Sequence, residues 1–405
     1  MNLNSTVSAE RVHIGFFGKR NAGKSSLVNA ITGQSLSVVS DVLGTTTDPV
    51  KKAMELLPLG PVVIIDTPGF DDEGALGELR VNKTREILAK TDIAVLVAIG
   101  GKPLDEYEKE LISLFEERDI PYIIAYNKCD LSDYSAEVKE NEIYVSAKDG
   151  TNIENLKEKL AAFAKQNKKS RYIVSDLLEK GDIAVLVMPI DDAAPKGRLI
   201  LPQQQTMRDI LDAHCSFVGC QDTELKDTLA ALSKKPRLVI TDSQAFGRVS
   251  KDVPDDIMLT SFSILFARYK GDLKQLVEGA AALSTLKDGD RVLISEGCTH
   301  HRQCNDIGTV KMPGWIKNFT GADIEFSFTS GGEFPEDLSE FSLIVHCGGC
   351  MLNEKEMSFR LQKAQISGVP IVNYGVAIAM MHGILTRSLE PFPEILKILK
   401  KGLKM

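Results

Sequence analysis

The stretch HIGFFGKRNAGKSSLVNAIT, residues 13–32, determines the fold of the first part of the chain. It begins with an apolar run at 13–17, continues with a glycine-bounded loop and ends in a helix-forming segment. The loop, residues 18–25, fits the pattern G-x-x-x-x-G-K-S/T, in which backbone N–H groups at a helix N-terminus surround a phosphate. This order of strand, loop and helix predicts a phosphate-binding loop in an α/β domain.

The side chains that follow predict contacts with a nucleoside triphosphate. Lys24 is expected to reach the β- and γ-phosphates, and Ser25 is expected to bind Mg²⁺. The sequence DTPG begins at Asp66, directly after the buried-strand run 62–65. We therefore expect Asp66 to support the Mg²⁺ ion and the Gly69 N–H to contact the γ-phosphate.

Two later motifs predict which base is bound. NKCD at 127–130 follows the strand-like run YIIAY, and SAK at 146–148 follows the strand-like run IYV. A carboxylate at Asp130 can accept two N–H bonds from guanine, which adenine cannot offer, so the sequence predicts GTP. A switch threonine is expected in GTTTD, residues 44–48. The rest of the predicted nucleotide-binding set is Gly18, Asn21, Ala22, Gly23, Ser26, Asn127, Lys128, Ser146, Ala147 and Lys148.

Length and composition limit the remaining choices. A chain of 405 residues with 43% hydrophobic and 26% charged residues predicts two or three soluble globular domains. It contains no apolar run near the ~20 residues that a membrane helix needs, and its first residues contain no apolar signal-peptide core, so we expect no membrane partner and a cytoplasmic location. The net charge of −8 argues against a nucleic-acid partner. Seven cysteines in such a chain favour metal binding or catalysis over disulfides.

The middle of the chain carries no catalytic pattern. The polar run 164–171 predicts a boundary, and we divide the chain into domains 1–168, 169–265 and 266–405. The middle segment is expected to be a small α/β domain that serves association. Asp209, in a helix-like run, is expected to be a surface charge.

Two groups of cysteine and histidine lie in the last domain, CTHHRQC at 298–304 and VHCGGC at 345–350. Strand-like and helix-like runs alternate here, which predicts a parallel sheet covered by helices. Both groups follow strands, and ligands bind at the carboxyl ends of parallel strands, so we expect the two groups to meet. Three sites fit this set: a structural zinc site, a redox dithiol, and a [4Fe–4S] cluster with three thiolates and one open iron.

The first 165 residues resemble the translation-factor-like GTPases of the TrmE, Era and EngA group, on the motifs given above. This resemblance implies that Asn21 binds K⁺, which stimulates hydrolysis, and that Thr46 is the Mg²⁺-binding switch threonine. Phe70 stands where many GTPases have a glutamine that orients the attacking water, so we expect slow intrinsic hydrolysis.

The order of the motifs along the whole chain, a GTPase followed by C-x-H and H-C-x-x-C, resembles the [FeFe]-hydrogenase maturation GTPases, the HydF family. The resemblance implies a P-loop GTPase domain, a small α/β dimerisation domain and a C-terminal parallel-sheet cluster-binding domain. It implies a homodimeric scaffold that holds a [4Fe–4S] cluster and a transient di-iron precursor, works with two radical-enzyme maturases and delivers the precursor to apo [FeFe]-hydrogenase. The implied cluster ligands are Cys298, Cys347 and Cys350, with His300 and His346 as further candidates. The alternative is an RNA-associated regulatory GTPase with a structural zinc site.

Overall fold

The structure, a computed structural model of the chain, describes residues 10–33, 50–67, 84–131, 138–166, 171–189, 199–243, 245–297, 306–349 and 352–403. It divides into two units, Met1–Lys169 and Ser170–Met405. The predicted boundaries after residues 168 and 265 stay predictions; residue 265 lies inside a helix of the second unit.

The first unit is built on one six-stranded sheet. Its strands are β1 (Val12–Phe17), β2 (Val50–Leu56), β3 (Gly60–Asp66), β4 (Ile93–Ile99), β5 (Tyr122–Asn127) and β6 (Glu142–Tyr144). Their order is β2-β3-β1-β4-β5-β6, and all neighbouring pairs are parallel except β2 with β3. Its helices are α1 (Lys24–Thr32), α2 (Glu106–Glu117) and α3 (Ile153–Gln166), with a further helical segment at 84–88.

Local sequence explains these elements. β4 reads IAVLVAI and is buried along almost its whole length, as expected for a parallel strand covered on both faces. α2 begins with a capping box, in which the Asp105 side chain accepts the Glu108 N–H and the Glu108 side chain accepts the Asp105 N–H. α1 is flanked by Gly23 before its first residue and by Gly33 after its last, and both glycines have left-handed backbone angles.

The second unit contains two four-stranded parallel sheets. The first sheet consists of β7 (Ile183–Val187), β8 (Ser216–Cys220), β9 (Leu238–Thr241) and β10 (Met258–Ser261). The second sheet consists of β11 (Arg291–Glu296), β12 (Glu325–Ser330), β13 (Leu343–His346) and β14 (Ile371–Asn373). The strand orders are β8-β7-β9-β10 and β12-β11-β13-β14, so the two sheets share one topology: second, first, third, fourth.

Helices cover these sheets and enclose two buried clusters, one shared by both sheets and a smaller one that includes Val185 and Val239 of the first sheet. They are α4 (Leu201–Asp212), α5 (Leu225–Ala231), α6 (Phe246–Asp252), α7 (Phe262–Lys270), α8 (Leu273–Ala282), α9 (Met312–Thr320), α10 (Glu354–Ile366), α11 (Tyr374–Met381), α12 (Leu385–Ser388) and α13 (Pro393–Gly402), with a π-helix at Ile307–Lys311 before α9. Buried side chains from Ile173 to Leu399 form a single cluster that includes residues of both sheets. The predicted α/β architecture with parallel sheets is confirmed.

Asp209 of α4 accepts hydrogen bonds from three backbone N–H groups. Its Oδ2 accepts N–H bonds from Val174 and Ser175, each at 2.8 Å, and from Ile173 at 3.1 Å. Asp209 is half-exposed on α4, as a helix-surface charge would be, and its carboxylate also holds the backbone at residues 173–175.

None of the helices in the described ranges has the length and apolar character that spanning a membrane requires.

Candidate functional site

The motifs of the first unit converge at one edge of its sheet. The phosphate-binding loop follows β1, Asp66 ends β3, Asn127 ends β5, and Ser146 lies just beyond β6. Because β1, β3, β4, β5 and β6 run parallel, their carboxyl ends lie at the same edge. The predicted nucleotide site is therefore assembled from loops that are up to ~130 residues apart in the chain.

The phosphate-binding loop curls around the side chain of Lys24. The buried Nζ donates to the carbonyl oxygens of Gly18 at 2.8 Å and Lys19 at 2.7 Å. Gly18 and Gly23 have φ angles of +137° and +88°. A Cβ at Gly18 would fall on the carbonyl oxygen of Val97, so both backbone angle and space require glycine there.

Ser25 and Asp66 offer oxygen ligands to a magnesium ion. The Ser25 hydroxyl donates to Asp66 Oδ2 at 2.8 Å. The other carboxylate oxygen, Oδ1, is buried and has no hydrogen-bond partner among the described residues. A buried carboxylate oxygen without a donor is costly unless a cation or ordered water satisfies it. This pair of oxygens fits Mg²⁺, which prefers hard oxygen ligands.

Asn127 connects three loops of the nucleotide site. Its Nδ2 donates to the carbonyl oxygen of Ala22 at 2.9 Å, and its Oδ1 accepts the Ala147 N–H at 3.1 Å. Beside it, Lys128 Nζ donates to the carbonyl oxygen of Asn21 at 2.7 Å. The phosphate-binding loop is thereby fixed to both base-recognition motifs.

The carboxylate of Asp130 is oriented by the SAK motif. Ser146 donates its hydroxyl to Asp130 Oδ1 at 2.9 Å, and Lys148 Nζ lies 3.9 Å from Oδ2. An oriented carboxylate at this edge can accept paired N–H groups from a guanine base.

The remaining predicted residues of this site are placed only in part. Asn21 has a left-handed backbone with φ of +60° and an exposed side chain, and Ser26 lies in the first turn of α1. Thr46, Gly69 and Phe70 lie outside the described residues.

The strands that precede the two cysteine groups, β11 and β13, are neighbours at the point where the strand order of their sheet reverses. β11 and β13 are adjacent and parallel, with Ser295 opposite His346. The Cys347 N–H donates to the carbonyl oxygen of Ser295 at 2.9 Å. The Gly297 N–H donates to Cys347 Sγ at 3.0 Å. The residue directly before position 298 therefore touches the sulfur of the second group.

The environment of Cys347 suits a thiolate ligand. Besides Gly297, the Gly349 N–H points at Sγ from 3.4 Å. Backbone N–H groups directed at cysteine sulfur occur at iron–sulfur clusters, where they tune the potential. Cys298, His300 and Cys350 lie outside the described residues. Within the described ranges, no group of three or more His, Cys, Asp or Glu side chains forms a metal site.

His346 is fully buried beneath this loop, and both of its ring nitrogens are hydrogen-bonded. Nδ1 lies 2.7 Å from the carbonyl oxygen of Cys347, and Nε2 lies 3.0 Å from Nη1 of Arg360. The carbonyl can only accept and the guanidinium can only donate, so the ring is neutral with its proton on Nδ1. Burial and the positive charge of Arg360 lower the pKa of His346 to about 3. Nε2 could bind iron only if Arg360 were displaced from it.

Arg360 and Tyr374 are residues of this site that the sequence reasoning missed. Arg360 is 1% exposed; it bonds Glu356 at 2.9 Å and the carbonyl oxygen of Gly331 at 2.8 Å. Tyr374 lies 3.3 Å from Glu296 at the end of β11, and burial together with the negative charge of Glu296 raises the pKa of the Tyr374 hydroxyl. The Glu–Arg spacing of four residues in α10 was the available signal, since it places both charges on one helix face.

Three family models match the chain. Residues 13–128 match the 50S ribosome-binding GTPase model. Residues 173–271 match the hydrogen maturase F dimerization domain, and residues 274–391 match the hydrogen maturase F tetramerization domain. The last two models belong to one family and together cover more than half of the chain.

Curated relatives match a smaller share of the chain. GTPase Der of Wolinella succinogenes is 35% identical over 167 residues, covering 37% of this chain and 35% of its own length. The tRNA modification GTPase MnmE of Bordetella petrii is 28% identical over 162 residues, covering 40% of this chain and 35% of its own length. The chain thus spans about a third of the length of these relatives. The solved structure of Era from Aquifex aeolicus is 15% identical, with a TM-score of 0.32, over 79% of this chain and 92% of its own.

Proposed function

The chain belongs to the hydrogen maturase F family, and we propose that it is a GTP-hydrolysing scaffold that carries a [4Fe–4S] cluster and a di-iron precursor and delivers the precursor to apo [FeFe]-hydrogenase. The observation that carries the cluster assignment is the Gly297 N–H bond to Cys347 Sγ at 3.0 Å. It places the backbone that leads into Cys298 against the sulfur of the H-C-x-x-C motif. A redox dithiol would leave Cys298 without a role, and a structural zinc site would have to use Cys298 and His300, which are poorly spaced as a ligand pair.

The chain's own residues account for how GTP is bound. Asp130 selects guanine, and Lys24 neutralises charge on the β- and γ-phosphates once its ammonium turns from the loop carbonyls to the nucleotide. Mg²⁺, when bound, neutralises the phosphate oxygens, and Ser25 and Asp66 would hold it. In hydrolysis, the oxygen of a water molecule bonds to the γ-phosphorus while the bond from that phosphorus to the β–γ bridging oxygen breaks, giving GDP and phosphate.

Potassium activation and the switch belong to the same proposal. Asn21 lies within the phosphate-binding loop and its side chain is exposed. The side-chain oxygen is therefore available to bind a K⁺ ion beside the phosphates. Thr46 and Gly69 are proposed to contact Mg²⁺ and the γ-phosphate. Through these switch segments, GTP is proposed to bias the docking or release of partner proteins. Equal partner affinity with GTP, with GDP and without nucleotide would contradict this part.

Cys298, Cys347 and Cys350 are proposed as the cluster thiolates. His300 stays a candidate for the fourth iron position. His346 is a weaker candidate, because Arg360 and the Cys347 carbonyl occupy its two ring nitrogens. An open or exchangeable iron position suits a carrier, since it allows both loading and release.

Homodimer formation is proposed for the second unit. Support comes from the dimerization model matched by residues 173–271 and from β8, a half-exposed strand at the edge of its sheet. Because a third segment matches a tetramerization domain, sedimentation should be measured over a range of protein concentrations.

A transfer experiment tests the function. Protein loaded by the two radical-enzyme maturases is mixed with apo [FeFe]-hydrogenase, and hydrogen evolution is measured. We expect activation by wild type and by Cys220→Ala, a half-buried cysteine outside the motifs, but not by Cys298→Ala. Activation by Cys298→Ala equal to wild type would refute the proposed carrier site.

The alternative function is an RNA-associated GTPase, which is supported for the first unit by its similarity to the tRNA modification GTPase MnmE. Filter binding with tRNA and ribosomal RNA separates the two functions. We expect no saturable binding, because the net charge of −8 opposes contact with phosphates.

A further inference from the structure

Lys270, the last residue of α7, is a buried lysine that no motif explains. It is only 6% exposed, and its Nζ lies 3.4 Å from the carbonyl oxygen of Gly349 and 3.5 Å from that of Leu352. Lysine is almost never buried unless acceptors surround its ammonium group. The position therefore calls for a specific reason.

The two carbonyls that Lys270 contacts bracket Cys350. Gly349 directly precedes that cysteine, and Leu352 follows it by two residues. The Leu352 side chain in turn packs on Gly297, where an added Cβ would come within 2.6 Å of Leu352 Cγ. Gly297 leads into Cys298 and donates to Cys347 Sγ. The ammonium group thus contacts a carbonyl on each side of position 350, and the side chain of one of these two residues packs on Gly297.

The end of α7 is itself fixed. Arg171 donates from Nη1 to the carbonyl oxygen of Tyr269 at 3.0 Å, and its Nη2 lies 2.7 Å from Glu354 in the first turn of α10. Gly349 and Leu352 are therefore connected to the end of α7 directly, and Glu354 is connected to it through Arg171. Lys270 also lies in the stretch that matches the dimerization domain. The segment between β13 and α10, residues 347–353, which we call the cysteine loop, lies in the stretch that matches the tetramerization domain.

We propose that Lys270 is a positioning residue of the iron–sulfur site, holding the Cys350 segment by its flanking carbonyls and placing a fixed positive charge behind the loop. The proposal rests on the cluster assignment made above. A cluster held by three thiolates carries net negative charge, which increases by one on reduction. A nearby cation stabilises the reduced form more than the oxidised form, so Lys270 raises the reduction potential.

The test compares full-length wild type with Lys270→Met, Lys270→Gln, Lys270→Arg and the control Lys274→Met, which removes an exposed charge from the next helix. One readout is the midpoint of an EPR-monitored redox titration of the reconstituted cluster. The second is the rate at which iodoacetamide alkylates Cys350 in metal-free protein, followed by peptide mass spectrometry.

We expect Lys270→Met and Lys270→Gln to lower the midpoint potential. We also expect Lys270→Met to be alkylated about tenfold faster at Cys350, because the loop loses hydrogen bonds to a charged group. Lys270→Arg should restore both values towards wild type, and Lys274→Met should match wild type. If Lys270→Met fails to fold, Lys270→Gln carries both comparisons.

The results separate this proposal from the cluster assignment. If wild type forms no cluster, the proposed function fails, and faster alkylation of Cys350 in the metal-free Lys270 variants still supports the positioning role. If wild type forms the cluster but the Lys270 variants keep the wild-type midpoint and alkylation rate, the positioning role is wrong and the proposed function stands.

Discussion

Replacing Arg360 by methionine tests the buried network that supports the cysteine loop. In wild type, the Arg360 guanidinium bonds Glu356 at 2.9 Å, the Gly331 carbonyl oxygen at 2.8 Å and His346 Nε2 at 3.0 Å. The two charged side chains are 1% and 9% exposed. The variant removes the Arg360 cation from beside a buried carboxylate and removes one hydrogen-bond donor from each of two acceptors.

The expected loss in free energy of unfolding follows from the burial of this ion pair. Breaking a buried ion pair by removing one partner costs about 3–5 kcal/mol, mainly because an uncompensated charge stays in a region of low dielectric constant. With an m-value of about 2 kcal/mol per molar urea, the unfolding midpoint of the second unit should fall by about 2 M. A matched control, Lys363→Met, removes a cation from the same helix where it is half-buried, and should change the free energy of unfolding by less than about 1 kcal/mol.

The assay is urea unfolding followed by tryptophan fluorescence. The chain has a single tryptophan, Trp315 in α9, so the signal reports on the second unit. The double variant Arg360→Met with Glu356→Leu should recover part of the lost free energy of unfolding. The reason is that the buried carboxylate is removed together with its cation.

A midpoint of Arg360→Met equal to that of Lys363→Met at neutral pH would refute the reasoning.

Three further predictions concern the first unit. Asp66→Asn should lower Mg²⁺-dependent phosphate release at least ~100-fold, because it removes a charged ligand from the metal site, and an undiminished rate would contradict the assignment. Asp130→Asn should raise the Kd of GTP about 100-fold, through loss of paired bonds to a carboxylate, and fluorescence titration with a labelled guanine nucleotide measures this; unchanged affinity would exclude Asp130 from base recognition. Replacing K⁺ by Na⁺ should slow hydrolysis in wild type, and Asn21→Ala should remove the difference; the same K⁺ dependence in both proteins would show that Asn21 does not bind the ion.

The convergence of the nucleotide-binding motifs at one edge of the sheet could be predicted from the sequence because each motif is local. Lys24, Asp66, Asn127 and Ser146 each follow an apolar strand-like run, and parallel strands bring such ends to one edge. The same rule predicted that the cysteine groups of β11 and β13 would meet, and the Gly297–Cys347 bond is consistent with it. Thr46, Gly69, Cys298, His300 and Cys350 lie outside the described residues, so their roles stay predictions.

The support behind the cysteine loop could not be predicted in this way. Arg360 reaches His346 across α10 and β13, and Lys270 reaches the loop from a helix about 80 residues earlier. Helical periodicity shows that a position is buried, yet it cannot show which distant backbone carbonyl the side chain meets. His346 is an example. The sequence motif predicts a possible metal ligand, whereas in the fold both ring nitrogens are hydrogen-bonded.

The central claim is that two cysteine groups about fifty residues apart form one cluster site. The most direct measurement is anaerobic reconstitution with iron and sulfide, followed by iron analysis and reduced-state EPR of wild type, Cys298→Ala and Cys220→Ala. We predict about four irons per chain and a [4Fe–4S]⁺ signal in wild type and in Cys220→Ala, and loss of that signal in Cys298→Ala. A wild type without a cluster, or a Cys298→Ala variant with the wild-type signal, would contradict the claim.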